Sequence, residues 1–391
     1  MDRSVESILS KRDVELMRRP IEEAIAPPPP YYTSKELYDL EVQRIFMKEW
    51  VWVGHVEHVS KPGDYFTFTL VDEPILIVRD QAAELHAFSN TCRHRGTVVA
   101  QGEGNCRAFT CPYHSWVYNL SGKLIGVPGM EGVKGFDASQ LGLRPIRLEV
   151  WEGLIFVNFD PEAKPLLPML GELPEYVKNY RLGETVCMRR TVYDYPCNWK
   201  LLVENAMEGY HILGTHATSI GSQYGDLSRW SIVPDPKGIW EDLLFVGTEP
   251  LSMSVGGSVG KSAFIIDSLT EPEQKLHHFI FIYPDVLLIY QPDSVSCFIM
   301  HPNGPDSVKC YFDVHFPKSF VGRPGFEEMV QMSYDGTDEF NHQDIHLLNL
   351  AQQGYRSRLA SPSRLSLHEL IPYRLTQYVL DHLLNGDASA R

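Results

Sequence analysis

Three shortages bound what this 391-residue chain can be. Positive charge is short: 35 Lys and Arg face 50 Asp and Glu, a formal net charge of −15. The positive footprint that nucleic-acid binding requires is therefore missing. An acidic surface serves solubility and would also suit a basic redox partner. Long apolar runs are missing too. No stretch approaches the ~18 residues of a membrane span, and Met1 to Pro20 mixes Arg, Lys, Asp and Glu where a secretory signal would be apolar. The expected location is cytoplasmic. Cysteine is sparse, at seven residues, so the thiols read as metal ligands or core rather than a disulfide scaffold. Repeats are absent. The glycine-rich stretch Ser254 to Gly260 (SVGGSVG) lacks the strand-to-helix context of a nucleotide fingerprint and reads as a flexible loop, a candidate lid.

What is present is ordinary globular material, 43% hydrophobic and 22% charged, in a length that suits two domains. Pro27 to Pro30 reads as an extended spacer after an N-terminal helical arm. Thr33 with Glu36 suggests a capping box opening a helix to about Lys48. From Trp50 to about Asp160 short strands dominate, with Phe66, Phe68 and Leu70 alternating. Pro161 to Pro174 is a proline-punctuated connection. A helix follows Trp199, strands run from His277 to Phe316, and a last helix is expected over about Thr337 to Gln353, stopping at Gly354. The fold class is α+β, in three segments: an arm over 1–44, an all-β domain over 45–160 and a mixed antiparallel domain over 161–391.

Two clusters carry chemistry. TCRHRG (Thr91 to Gly96) and CPYHSW (Cys111 to Trp116) supply Cys92, His94, Cys111 and His114, as C-x-H, sixteen residues, then C-x-x-H. Two thiolates and two imidazoles can bind one zinc or divide between the irons of a 2Fe-2S cluster. Zinc fingers usually group cysteine with cysteine and histidine with histidine, whereas here each loop pairs one of each. Trp116 and Pro112 would shield the group from water. Cys106, Cys187, Cys197, Cys297 and Cys310 read as core thiols.

The second cluster spans two distant segments. In NWKLLVENAMEGYHILGTH (Asn198 to His216), a continuous helix would place Glu204, Glu208 and His211 on one face. His216 could join His211 only if that helix ends near Gly214. Downstream, Asp344 falls by angle within an apolar stripe of Phe340, Leu347 and Ala351. A carboxylate there is costly unless it is paired or binds metal. Two imidazoles and one carboxylate form the facial triad of a non-haem ferrous site; a structural salt bridge is the competing account of Asp344. Asp338 and Glu339 point away, towards solvent.

With both clusters in view, the chain resembles the large (α) subunit of Rieske-type aromatic-ring-hydroxylating oxygenases and their demethylating relatives. The resemblance runs from about Lys35 to Gln353 and rests on CRHRG, CPYHSW, NWKLLVENAMEGYH with His216, FIFIYPDVLL and QDIHLLNLAQQG. It implies an N-terminal all-β Rieske 2Fe-2S domain followed by a helix-grip catalytic domain with a curved antiparallel sheet. It implies that Cys92 and Cys111 bind one cluster iron and His94 and His114 the other. His211, His216 and Asp344 would bind the mononuclear Fe(II). Glu208 matches the acidic bridge that hydrogen-bonds a Rieske histidine, here His114, of a neighbouring subunit. That implies a ring such as a homotrimer, with or without a small β subunit. Many ring dihydroxylases carry Asp at the bridge, while Glu is also common in monooxygenating and demethylating relatives.

The implied activity is that of a terminal oxygenase using O₂, with electrons from NAD(P)H through a separate flavin reductase or a ferredoxin. The expected substrate is a small aromatic compound. A methylated amine, a quaternary ammonium or a methoxy-aromatic compound is the alternative, because Phe279, Phe281, Tyr283 and Tyr290 could line an aromatic pocket, form a cation cage or simply fill the sheet core. Outside the oxygenase class stand a Rieske electron-transfer protein and a zinc-stabilised binding protein.

Overall fold

Alternation along Asp64–Leu70 shows how the first unit is built. Phe66, Phe68 and Leu70 are buried while Thr67 and Thr69 face outward, the period-two pattern of a half-buried strand. Its partner Glu73–Arg79 buries Ile75 through Val78 without alternation, as a strand covered on both faces must. The computed structural model describes residues 3–217, 219–235, 237–252, 260–261 and 264–385. All of the glycine-rich loop except Gly260 lies outside the described residues, and the lid expectation lies outside them with it.

The chain divides into a unit of Met47–Leu166 and a unit of Met1–Phe46 with Leu167–Arg391. In the former, strands β1 (Val51–His55), β2 (Asp64–Leu70), β3 (Glu73–Arg79), β4 (Leu85–Ser89), β5 (Glu103–Asn105), β9 (Pro145–Trp151) and β10 (Leu154–Asn158) form one antiparallel sheet in the order β1-β10-β9-β4-β3-β2-β5. Strands β6 (Ala108–Thr110), β7 (Val117–Asn119) and β8 (Leu124–Gly126) form a separate three-stranded meander. Leu76, Val78, Phe88, Phe109, Trp116 and Tyr118 share its core with Cys92 and Cys111.

The larger unit carries a seven-stranded antiparallel sheet: β11 (Thr185–Tyr195), β12 (Trp230–Pro234), β13 (Trp240–Val246), β16 (Leu276–Ile282), β17 (Val286–Tyr290), β18 (Val295–Pro302) and β19 (Val308–Pro317), in the order β11-β19-β18-β17-β16-β13-β12. A two-stranded pair, β14 (Leu251–Ser252) with β15 (Gly260–Lys261), lies apart. Helix α1 (Trp199–Ala206) packs against β18, the long helix α2 (Phe326–Tyr355) and the last helix α3 (Leu370–Asn385). The resulting class is α+β, with two seven-stranded antiparallel sheets and two smaller ones among the described residues.

Several local expectations shift. The proline run does not stay extended: Pro30 opens a one-turn helix, Pro30–Thr33, where a missing N–H and a preset φ suit the first helical position. The next cap is Ser34, whose hydroxyl accepts from the Leu37 N–H at 3.1 Å, and not Thr33, whose hydroxyl donates back to the Pro29 carbonyl. That helix is α-helical only over Lys35–Glu41 and continues as a π-turn to Phe46. The Pro161–Pro174 connection contains the short helix Leu166–Leu170 and the start of another, Leu173–Tyr176. α2 begins eleven residues before Thr337 and runs through Gly354 to Tyr355.

Candidate functional site

The two Cys/His loops share one backbone plan. In the first, the Gly96 N–H donates to the Cys92 carbonyl at 2.9 Å and the Cys92 N–H to Thr97 at 2.8 Å. In the second, the Ser115 N–H donates to the Cys111 carbonyl at 3.0 Å and the Cys111 N–H to Trp116 at 2.8 Å. Each tight loop turns on a left-handed residue four positions after its cysteine, Gly96 at φ 75° and Ser115 at φ 56°. Glycine adopts that region freely, whereas serine pays for it. Asn90, missed from sequence, ties down the base of the first loop: its side-chain oxygen accepts from Ala100 N at 2.9 Å, and its amide donates to Ala100 O at 2.8 Å.

This plan segregates the donors. Cys92 and Cys111 are buried and their thiols meet; the His94 and His114 rings lie together at 4.6 Å between centroids. Such segregation fits two thiolates on one iron and two imidazoles on the other. Burial works against a Cys92 thiolate, but hydrogen bonds from Tyr118, nearby backbone and Cys111 outweigh it and hold the thiol below its usual range. The Tyr118 oxygen lies 3.3 Å from Cys92 Sγ and accepts from the Arg93 N–H at 3.0 Å. Trp116 stacks on His94 at 4.7 Å and is 2% exposed. The shield is therefore Trp116 with Tyr118; Pro112 is exposed.

The second cluster forms without a continuous helix. α1 ends at Ala206, and Glu208 leads into a 3₁₀ turn of His211–Leu213 capped by Gly214. The helical face shared by Glu204, Glu208 and His211 therefore does not exist. Glu208 instead folds back on the turn: it accepts from the Tyr210 N–H, from the His211 N–H at 3.0 Å and from His211 Nδ1 at 2.7 Å. His211 Nε2 lies 3.9 Å and His216 Nε2 3.1 Å from Asp344 Oδ1. That oxygen is buried and has no hydrogen-bond partner among the described residues, an orphan acceptor between two imidazoles. Burial disfavours a charged His216, yet the facing Asp344 carboxylate and the Gln343 amide outweigh this and raise its pKa. Two nitrogens and one carboxylate oxygen converging from one side are the donor set of a facial triad.

The face of α2 that carries Asp344 is not the apolar stripe expected. Its buried line is Thr337, Asn341, Asp344, Leu348 and Gln352, with Phe340, Leu347 and Ala351 half-buried beside it. Asp338 is partly open to solvent, as expected, and also accepts from the Tyr193 hydroxyl. Two acids invisible as a set in sequence lie beneath the site. Glu41 accepts from Lys200 Nζ at 2.6 Å and from Trp199 Nε1 at 2.8 Å, while Glu204 accepts the Tyr32 hydroxyl at 2.9 Å. Asn198 caps α1 through the Lys200 N–H at 3.1 Å and donates to Pro305 O at 2.7 Å.

Beside the triad lies a cavity of about 740 Å³ including its open mouth. Leu202, Ile212, Leu287, Phe298 and Met300 line it, with the rings of Trp230 and Phe279. Of the four sheet aromatics singled out by sequence only Phe279 reaches it; Tyr283 stacks on Tyr378 at 4.5 Å and Tyr290 packs on Tyr180 at 5.0 Å. Tyr224 shows the cavity its ring, while its hydroxyl pairs with His277 Nδ1 at 2.6 Å. Burial, helped by the charge of His278, pushes His277 down to about 3 and keeps it neutral.

The family model described as the ring hydroxylating alpha subunit (catalytic domain) matches residues 182–384, and the Rieske [2Fe-2S] domain model matches residues 49–137. The chain belongs to the ring-hydroxylating oxygenase alpha-subunit family. It is a Rieske non-haem iron oxygenase, an oxidoreductase whose cofactors are a 2Fe-2S cluster and a mononuclear iron and whose electrons come from NAD(P)H through a reductase or ferredoxin. The electron-carrier and zinc-stabilised readings fall with the catalytic-domain match. The chain is similar to choline monooxygenase of Arabidopsis thaliana, described as chloroplastic, at 27% identity over 366 residues, 90% of this chain and 81% of that protein. It is similar to the benzene 1,2-dioxygenase alpha subunit of Pseudomonas putida at 36% identity over 219 residues, 54% of this chain and 49% of that one. A solved quaternary ammonium Rieske monooxygenase, described for carnitine oxidation by gut microbiota and inter-subunit electron transfer, shares the fold at a TM-score of 0.77 and 23% identity, over 92% of this chain and 96% of that chain. No helix among the described residues is long and apolar enough to cross a membrane.

Proposed function

We propose that this oxygenase component hydroxylates a small, neutral aromatic substrate. The supporting observation is the cavity. Among the described residues lining it, none is Lys or Arg, and the only acids are Glu208 and Asp344 of the centre itself. A substrate carboxylate would be buried there without a partner, at a cost of several kcal/mol. A quaternary ammonium would gain about 0.5–2 kcal/mol from ring faces such as Trp230, which does not offset the loss of its hydration without a nearby free carboxylate. A neutral ring forfeits neither.

Cys92 and Cys111 would hold one iron of the cluster, His94 and His114 the other. His211, His216 and Asp344 would hold the mononuclear iron. When bound, these groups supply the electrons and the O₂ activation. The chain's own residues do the rest. Glu208 locks His211 so that Nε2 faces Asp344, and its remaining lone pairs are offered outward towards His114 of the partner subunit, which makes the working unit a ring of chains such as a trimer. Phe279, Phe298 and Trp230 clamp the ring and exclude water.

Demethylation of a quaternary ammonium is the second reading, favoured by the similarity to choline monooxygenase and by the Trp230–Phe279 ring pair at 5.3 Å. Aerobic turnover with a surrogate reductase decides between them, offering neutral arenes, aromatic acids and methylated amines. Oxygen-bearing arene products are expected. Formaldehyde from the amine with no arene product would overturn the proposal.

A further inference from the structure

We propose that Gln343 is a positioning residue that selects which nitrogen of His216 is offered to a metal, and that Ser219 in turn selects the orientation of Gln343. The inference rests on the reading of His211, His216 and Asp344 as metal ligands.

A neutral imidazole has one N–H and one lone pair, and the partner of one nitrogen dictates the state of the other. Gln343 Oε1 lies 2.6 Å from His216 Nδ1. A carbonyl oxygen only accepts, so Nδ1 carries the hydrogen and Nε2 carries the lone pair. Nε2 is the atom 3.1 Å from the orphan Oδ1 of Asp344. With the amide turned over, its N–H₂ would donate to Nδ1, and the hydrogen would move to Nε2. His216 would then donate to Asp344, closing the triad as an ordinary His–Asp pair.

The two histidines solve this problem differently. His211 Nδ1 faces the Glu208 carboxylate at 2.7 Å, which in its ionised form has no donor and permits one tautomer. Gln343 offers both an acceptor and a donor, so something must choose. Ser219, buried beside it, has its hydroxyl 3.2 Å from Gln343 Oε1. The hydroxyl's other acceptor within reach is the His216 carbonyl at 3.4 Å. That carbonyl already receives the Ser219 N–H at 3.0 Å and the Gly221 N–H at 2.8 Å, which fill its two lone pairs. The Ser219 proton is therefore directed to Gln343 Oε1, and the oxygen is held on the His216 side. α2 supplies the ligand Asp344 and the selector Gln343 as adjacent residues, and the loop after His216 supplies Ser219.

The test uses cluster-loaded, iron-stripped protein titrated with Co(II), read by chelator competition and by the visible Co(II) spectrum. Removing a group that orients a ligand typically costs 10–100-fold in metal affinity. Gln343→Leu should fall by about that much with the cluster spectrum unchanged, and Gln343→Glu, which can only accept when ionised, should bind at least as tightly as the parent. Ser219→Ala should weaken binding less, and the double change Ser219→Ala with Gln343→Glu should restore it, since a carboxylate cannot be misoriented. Parental affinity in Gln343→Leu would overturn the role of Gln343. A double variant as weak as Ser219→Ala alone would overturn the role of Ser219. Asp344→Ala separates the layers: if it still binds Co(II) with the parental spectrum, the ligand reading itself fails.

Discussion

Glu208 and His211 are joined twice, through the side chain, where Nδ1 meets Oε1 at 2.7 Å, and through the backbone, where the His211 N–H meets Oε2 at 3.0 Å. One carboxylate therefore shapes the turn and sets the tautomer. Glu208→Gln keeps one acceptor oxygen; with that oxygen on His211 Nδ1 both metals should stay bound, while the turn loosens and turnover falls by about a hundredfold, the upper range for loss of such a partner. Stopped-flow reoxidation of the reduced cluster is the measurement. Parental rates with full iron content would remove Glu208 from the electron path.

Lys200 and Glu41 form an ion pair with side chains 1% and 0% exposed. Burial pulls the Lys200 pKa down more strongly than Glu41 lifts it, so the pair survives on geometry. Lys200→Met leaves a buried carboxylate with only the Trp199 N–H, and breaking such a pair costs about 3–5 kcal/mol. Replacing Glu41 with Leu in the same chain should recover part of the loss. Urea unfolding of the single and double variants reads the difference; equal stabilities would show that the pair contributes nothing.

Glu204 gives the protein a pH-dependent weakness. Burial raises its pKa to about 8 from an ordinary 4.5, against the opposing Tyr32 hydrogen bond and Lys200 charge, with Glu369 adding to the rise. Between those values the unfolded chain has released the proton while the folded chain still holds it. Stability from this group therefore falls as pH rises from about 4.5 to about 8. Glu204→Gln abolishes the effect, so its advantage over the parent should grow across that window to on the order of 2–4 kcal/mol. Melting curves at pH 5, 6.5 and 8 test it, and a constant offset would contradict the buried-acid account.

Trp116 covers one face of the His94 ring and leaves the rest of that residue exposed. Reduction adds negative charge to the cluster, and water stabilises the more charged state. Trp116→Ala should therefore raise the reduction potential, besides costing about 3–5 kcal/mol as a large-to-small core change. A redox titration followed by EPR reads the shift. A lower or unchanged potential would mean that Trp116 does not shield the cluster.

Much of the site was legible because metal donors are written as short spacings. Cys92 with His94, Cys111 with His114, and His211 with His216 each lie within one loop, where chain geometry alone brings them together. The α+β class followed from period-two strands and proline-marked boundaries in the same local way. Asp344 was found for a partly mistaken reason: it is buried, but on a line shared with Thr337, Asn341 and Gln352. Its distinguishing feature is the orphaned oxygen, and Asp338, dismissed by angle, has a tyrosine partner.

What the tertiary structure decided lies wherever distant segments meet. Helical periodicity carried Glu204 and Glu208 onto one face, but α1 stops at Ala206, and backbone capping by Glu208 replaced helix continuation. The pairing of Gln343 with His216 joins positions 127 residues apart, and no local pattern distinguishes that glutamine from any other. The make-up of the cavity wall is likewise a property of the folded sheet, which placed Phe279 in the wall and sent Tyr283 and Tyr290 elsewhere. The sequence by itself determined the candidate donors, since ligand identity and short spacing survive any packing, and its family resemblance supplied the metals and the reaction class. Only the fold decided which tautomer, which carboxylate and which wall the substrate meets, because those depend on contacts that exist once the strands have paired.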